Sequence, residues 1–250
     1  MIELIIILII MALVMEIVDS SLGMMYGTLL SPILVGVGFE PLIVVPSIVI
    51  SQAIGGLAGT VSHHKFKNAN FNGLTKDTKI TLAMVIPGLI VVVVGVFAAT
   101  TLPKEFVKIY IGILVVLMSI LCLSPLKYKF EWWKQYAIGV LAAFNKALSG
   151  GGFGPITSTG GIIGGLEPKV SIATTTFAEV GICFASFVVY LFFMRSFDMT
   201  LISSLCIGAF VGGLIGPYIS SRICHSKLRI SIGILGMMSG IWLLWEVMTH

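Results

Sequence analysis

The sequence predicts an all-α polytopic membrane protein: two inverted repeats of five helical elements each, each repeat opening with a broken helix or helical hairpin. Three observations carry this. Of 250 residues, 57% are hydrophobic and only 10% are charged, and the mean hydropathy is +1.08. An average soluble domain is about a quarter charged, so this chain cannot cover a soluble surface, which excludes a soluble enzyme, a nucleic-acid reader and a secreted disulfide scaffold. Apolar runs of roughly 13 to 26 residues recur between short polar stretches, the pattern of successive membrane elements. The chain also repeats itself at an offset of 127 residues.

Residues 2–39 form one long apolar run, broken by Asp19, Ser20, Ser21 and Gly23. At 1.5 Å per residue they reach about 57 Å, too long for one crossing of a ~30 Å core and barely enough for two. They are therefore read as elements 2–18 and 20–38, with a tip inside the membrane. Irregular backbone at that depth is tolerated only where it is buried in protein or lines a cavity. The N-terminus, Met-Ile-Glu, lacks a basic region and is read as a retained membrane element rather than a cleaved signal. Elements at 41–61, 79–101 and 106–124 complete the first half. In the second half, 134–148 and 152–166 form another hairpin, interrupted by Asn145, Lys146 and Ser149 to Gly154. Elements 169–194, 199–220 and 228–248 follow. All are read as helices, because an open strand edge finds no partner in lipid and the ten-residue alternation of a membrane barrel is absent.

At the 127-residue offset Gly23 falls on Gly150, Gly27 on Gly154, Ser31 on Ser158, Gly38 on Gly165, and Glu40-Pro41 on Glu167-Pro168. At an offset of 121, Ile109 to Leu114 matches Ile230 to Leu235. The repeats are read as 1–126 and 127–250. Basic residues set their relative direction. Counting each hairpin as two passes puts Lys65, Lys67, Lys76, Lys79, Lys127, Lys129, Lys134, Lys169, Arg222, Lys227 and Arg229 on one side. Lys104, Lys108 and Arg195 lie on the other, with Lys146 in a hairpin. That eleven-to-three split obeys the positive-inside rule, whereas four crossings per half give eight to six. Five elements per half imply inversion, with both termini extracytoplasmic. The net charge of +4 is thus read as topology.

Inverted repeats with helices broken at mid-depth are the signature of secondary transporters. A broken helix presents backbone N–H groups and its dipole to an anion. The tip Ser149-Gly150-Gly151-Gly152-Phe153-Gly154 suits this, its glycines allowing close approach and Ser149 adding a donor. Gly160, Gly161, Gly164, Gly165, Gly212 and Gly213 are read as helix-packing residues. Ionisable groups deep in a bilayer are functional candidates. Asp19 and Lys146 are equivalent under the offset, as are Gln52 and Glu179, and the four suggest one central cavity. Lys146 either neutralises an anionic substrate or pairs with Asp19. Glu179 is either a proton carrier or a hydrogen-bonded packing residue. Thr174, Thr175 and Thr176 lie a turn before Glu179, and Ser47 and Ser51 lie near Gln52. Their hydroxyls either contact substrate or bond to their own helix. Tyr26 and Phe153, at equivalent hairpin positions, either wall the cavity or pack the tips. His63 and His64 are read as part of a solvated loop in preference to a proton relay, and Trp132 and Trp133 as an interfacial anchor. Cys122, Cys183, Cys206 and Cys224 are read as packing residues, since none shows ligand spacing.

The first hairpin, Ile17-Val-Asp-Ser-Ser-Leu-Gly-Met-Met-Tyr-Gly27, continues into Ser31-Pro32. The second is Phe144-Asn-Lys-Ala-Leu-Ser-Gly-Gly-Gly-Phe-Gly-Pro155. Together with the Glu-Pro turn after each, the polar helix that follows and the chain length, they resemble the sulfite exporter TauE/SafE family over nearly the whole sequence. Met24 and Met25 stand where the first motif commonly has glycine, which shifts the expected anion contacts to the second hairpin. The resemblance implies transport, usually outward, of a small sulfur oxyanion or sulfonate. The expected substrate contacts are Asn145, Lys146, Ser149, Gly150, Gly151, Gly152, Phe153, Gln52, Glu179, Ser20, Ser21, Tyr26 and Thr175. Asp19 and Glu179 are the coupling or structural charges.

The expectation is therefore a secondary transporter, not an enzyme, in the inner membrane of a prokaryotic-type cell. It needs no cofactor or metal and no nucleic acid. Its partners are a small anionic sulfur compound and the lipid bilayer, with a coupling proton or cation and a homo-oligomeric state left open. The alternatives are an importer of a related sulfur or carboxylate anion, an anion channel, or a non-transporting membrane assembly protein. A channel needs a continuous polar pore, whereas these polar groups cluster at one depth. HExxH, paired catalytic aspartates, a Ser-His pair and nucleotide-binding motifs are all absent from the sequence.

Overall fold

The computed structural model describes residues 2–124, 129–194 and 196–249. Among these it has ten helices and no strand. The first five are α1 (Ile2–Leu22), α2 (Tyr26–Gly36), α3 (Pro41–Lys65), α4 (Lys76–Thr101) and α5 (Lys104–Leu123). Then come α6 (Trp132–Ser149), α7 (Phe153–Ile163), α8 (Pro168–Phe193), α9 (Met199–Arg222) and α10 (His225–Thr249). The boundary expected at 126/127 lies outside the described residues, as do Lys127 and Arg195. Four helices among those described are long and apolar enough to cross a membrane, at Leu42–Lys65, Lys76–Ala99, Pro168–Phe193 and Met199–Arg222. Their outer faces carry large exposed apolar side chains such as Ile90, Phe97, Phe192 and Phe210, as lipid contact requires.

The first break differs from the expectation in place. Asp19, Ser20 and Ser21 do not interrupt the helix; α1 runs on through them to Leu22. Their polar groups are satisfied without breaking it: Ser21 donates to the Val18 carbonyl at 3.1 Å and Ser20 to Glu16 at 2.7 Å. The chain turns instead at Gly23 (φ 78°) and Met25 (φ 116°). The second turn falls at Gly150 (φ 74°) and Gly152 (φ 77°), at the same offset of 127. Left-handed backbone is cheap for glycine and strained for methionine. The hairpin arms are also unequal. The 21 residues of α1 span about 31 Å, whereas the 11 of α2 reach about 16 Å.

The halves interlock. The first helix of each packs against the fourth of the other (α1 on α9, α6 on α4), α3 packs on α8, and α5 on α10. One apolar core joins α1, α2, α3 and α9 through Leu8, Tyr26, Leu30, Ile48 and Leu205. Another joins α4, α6, α7 and α8, with α3, through Met84, Ala143, Phe153, Ile156 and Ile182. The two short helices each belong to one of these cores, and their tips lie against the first turns of α3 and α8, at Val45 and Ile172.

Candidate functional site

The tips meet backbone to backbone. Gly152 N donates to Thr28 Oγ1 at 3.2 Å, and Ser158 Oγ donates to the Gly23 carbonyl at 2.7 Å. A Cβ on Gly154 would stand 2.5 Å from Gly23 O and 3.0 Å from Met24 Cα, and one on Gly151 would stand 2.9 Å from Thr28 Cα. Close packing of one tip on the other thus accounts for Gly151 and Gly154, while Gly150 and Gly152 serve the turn. Elsewhere, Gly160 sits against Ile138 and Gly213 against the Gly55 backbone, in keeping with the packing role expected of them.

Beside the tips, the four polar residues singled out from the sequence form one buried chain. Tyr26 N donates to Asp19 Oδ1 at 3.0 Å, and Gln52 Nε2 donates to Asp19 Oδ2 at 3.1 Å. Lys146 Nζ donates to Gln52 Oε1 and, at 2.8 Å, to Glu179 Oε1. None of the four is more than 4% exposed. Lys146 therefore pairs with Glu179, and Gln52 stands between it and Asp19; its amide donates to the acid and accepts from the ammonium. Asp19 also satisfies the first amide of α2, where the helix dipole favours negative charge. At the equivalent end of α7 the Gly152 amide donates instead to the neutral Thr28 Oγ1.

The remaining candidates divide. Ser47 and Thr174, an equivalent pair, each bond back to the carbonyl four residues earlier, at 2.7 and 2.8 Å. Thr176 does likewise at 3.1 Å. Thr175 Oγ1 and Asn145 Oδ1 are buried with no hydrogen-bond partner. Ser149 is engaged within its own turn, donating to Asn145 O at 3.0 Å and accepting from Gly151 N at 3.2 Å. Tyr26 and Phe153 are fully buried in the two apolar cores, and the Tyr26 hydroxyl lies 2.8 Å from Ser51 Oγ. His63 corrects the solvated-loop expectation: it is fully buried, with Asn68 Nδ2 2.9 Å from its Nδ1. The end of α3 is covered by α9, where Asn68 also donates to the Pro217 carbonyl at 2.9 Å. His64 is half-buried and accepts from Phe71 N at 3.2 Å.

One residue escaped the sequence reading. Glu16, a turn before Asp19, is only 1% exposed and accepts from Ser20. Its signal was an acid inside an apolar run, but its counterpart at the 127-residue offset is Ala143, so the repeat did not mark it. Among the described residues no group of three or more His, Cys, Asp or Glu side chains is placed to hold a metal ion.

The family model described as "Sulfite exporter TauE/SafE" matches residues 8–243. The chain is also similar to "Probable membrane transporter protein YtnM" of Bacillus subtilis (strain 168). They are 26% identical over 234 residues, covering 87% of this chain and 75% of the relative.

Proposed function

Because the chain belongs to the sulfite exporter TauE/SafE family, whose members are membrane transporters, we propose that it is a secondary active transporter of a small sulfur-containing anion, sulfite or an organosulfonate, acting outward across the inner membrane. The observation that carries this reading is Lys146, a fully buried ammonium one turn before the break that opens α7, at a half-helix N-terminus with no acidic cap. A cation beside the N-terminus of a half-helix suits an oxyanion. Asn145 and Thr175 supply neutral contacts through atoms that have no partner in this conformation, and the Gly151 and Gly152 amides join them once released from Ser149 Oγ and Thr28 Oγ1.

The Lys146 charge is already matched by Glu179 at 2.8 Å. An anion takes that place only when Glu179 is neutralised or moves away, since two anions sharing one buried cation leave an uncompensated charge. Anion binding is thereby tied to a proton or to a displacement of α8. The whole chain of polar groups is closed off from solvent here, so transport requires the bundle to open toward each side in turn, through rocking of one part of the repeat against the other.

Proteoliposome flux with sulfite, thiosulfate, organosulfonates and carboxylates tests the reading. Saturable movement of a sulfur anion, lost in Lys146→Ala, is the expected result, and the sign of net flux under an imposed gradient gives the direction. No movement of any of these anions by the unaltered protein removes the transporter reading.

A further inference from the structure

Three acids lie in the central polar chain or against it, and two of them are matched as anions. Asp19 receives a backbone amide and the Gln52 amide, and Glu179 receives the Lys146 ammonium. Glu16 is different. Its Oε1 accepts one hydrogen bond, from Ser20 Oγ at 2.7 Å, and its Oε2 has no partner. Among the described residues it takes part in no ion pair. Glycine backbone closes around it: a Cβ on Gly55 would stand 2.8 Å from its Cδ, and one on Gly212 would stand 2.7 Å from its Cβ. An ionised carboxylate in such a place, with one neutral donor and no cation, is strongly disfavoured, so the carboxyl holds its proton in this conformation.

From Glu16 a line of buried polar groups leads away from the centre. Ser20 is next, fully buried against Gly59 of α3, where a Cβ would lie 3.2 Å from its Oγ. One turn farther along α3 is His63, fully buried, with no hydrogen-bond partner at Nε2. Asn68 donates to its Nδ1, which leaves the ring proton on Nε2. Asn68 lies in the segment 66–75, where Lys67 and Asn70 are exposed. We propose that Glu16 is the proton-binding carboxyl that couples anion movement to the proton gradient, reached from the 66–75 side through Ser20 and His63. This rests on the transporter reading above.

The charged groups acting on Glu16 are Asp19 on its own helix, Glu179 of α8 and Lys146 of α6. Tyr26 of α2 and Cys183 of α8 also face it, and Cys206 of α9 lies toward Tyr26. α3 faces Glu16 with Gly55 and, beyond Ser20, with His63. Among the described side chains of α10 the titratable one is Lys227, exposed at its start. With Glu16 protonated, the anion meets one negative charge fewer and is held beside Lys146. Loss of that proton restores the repulsion and expels the anion. Proton and anion thus move together, outward where the anion's own outward gradient exceeds the opposing proton gradient.

Infrared difference spectra of the purified protein in lipid, recorded across a pH step, test the proton site. The expected result is a carboxylic-acid C=O band that disappears in Glu16→Gln and persists in Asp19→Asn and Glu179→Gln. In Ser20→Ala, which removes the one hydrogen bond, the band shifts to higher frequency. Proteoliposome flux tests the coupling: sulfite flux in the unaltered protein follows an imposed pH gradient, and flux in Glu16→Gln ignores it. A band that survives Glu16→Gln or stays unshifted in Ser20→Ala overturns the proton site, and a Glu16→Gln flux that still follows the gradient overturns the coupling. Absence of anion flux in the unaltered protein removes the transporter reading and the coupling with it, while the infrared band still decides the proton site.

Discussion

At the residue scale, the central polar chain is a set of mutual obligations. Lys146 is buried with two acceptors, and removing it strands Glu179 and Gln52 without their donor. Lys146→Met should destabilise the protein by about 3–5 kcal/mol, whereas the double variant Lys146→Met with Glu179→Gln should recover much of the loss, because no unpaired charge stays behind. Thermal unfolding of the two variants in the same detergent measures this. At the protein's edge, the indole N–H of Trp133 and the Lys134 ammonium, which lies 3.2 Å from Glu131 Oε1, hold the exposed Glu131 carboxyl below its usual range. A carboxyl with a depressed folded value stabilises above the unfolded value and loses that contribution as pH falls through the folded one. The part of the tryptophan emission titration that disappears in Trp133→Phe should therefore have its midpoint below that of an ordinary glutamate.

At the element scale, the two broken helices depend on glycine for two separate reasons. Gly150 and Gly152 take positive φ, and replacement of Gly150 by alanine should cost about 1–2 kcal/mol. Gly154 instead faces fixed backbone of the other tip, at 2.5 Å from Gly23 O to its would-be Cβ. Gly154→Ala should therefore cost more than Gly150→Ala, since neither backbone can step aside without separating the tips. Gly36 closes α2 with nothing within 4 Å of a Cβ. Gly36→Ala should be neutral or stabilising by up to about 1 kcal/mol. Comparing the unfolding temperatures of the three variants checks the order.

At the scale of the molecule, five elements per half and the eleven-to-three distribution of basic residues point to halves of opposite direction. The segment 66–75 between α3 and α4 corresponds to 194–198 between α8 and α9. In an inverted arrangement, cysteines placed at Asn70 and at Ser196, both exposed, should react with a membrane-impermeant maleimide from opposite sides, Asn70 from the cytoplasm. Reaction of both from one side would mean parallel halves. The labelling is best read in a Cys224→Ser background, because Cys224 is itself exposed.

Much of this architecture was legible in the chain. Hydropathy marks helices because lipid offers the backbone no partners, and the 127-residue offset marked the pairs Asp19/Lys146 and Gln52/Glu179 before their contacts were seen. Periodicity and spacing do not carry partnership, however. That Lys146 answers Glu179 rather than Asp19, that Gln52 bridges them, and that Gly151 and Gly154 serve tip-on-tip packing depend on how α3 and α8 cross. His63 was expected in solvent and Glu16 went unread for a related reason: burial near a helix end, or opposite a glycine, is set by neighbouring helices, α9 for the one and α3 with α9 for the other. The sequence alone determined the class, the elements and the residues that cannot lie in lipid unpaired, since those follow from local composition and the cost of unsatisfied groups. Which of those residues satisfy one another was decided by the tertiary structure, because hydrogen bonds form between groups brought within about 3 Å, and only the packing of distant segments brings them there.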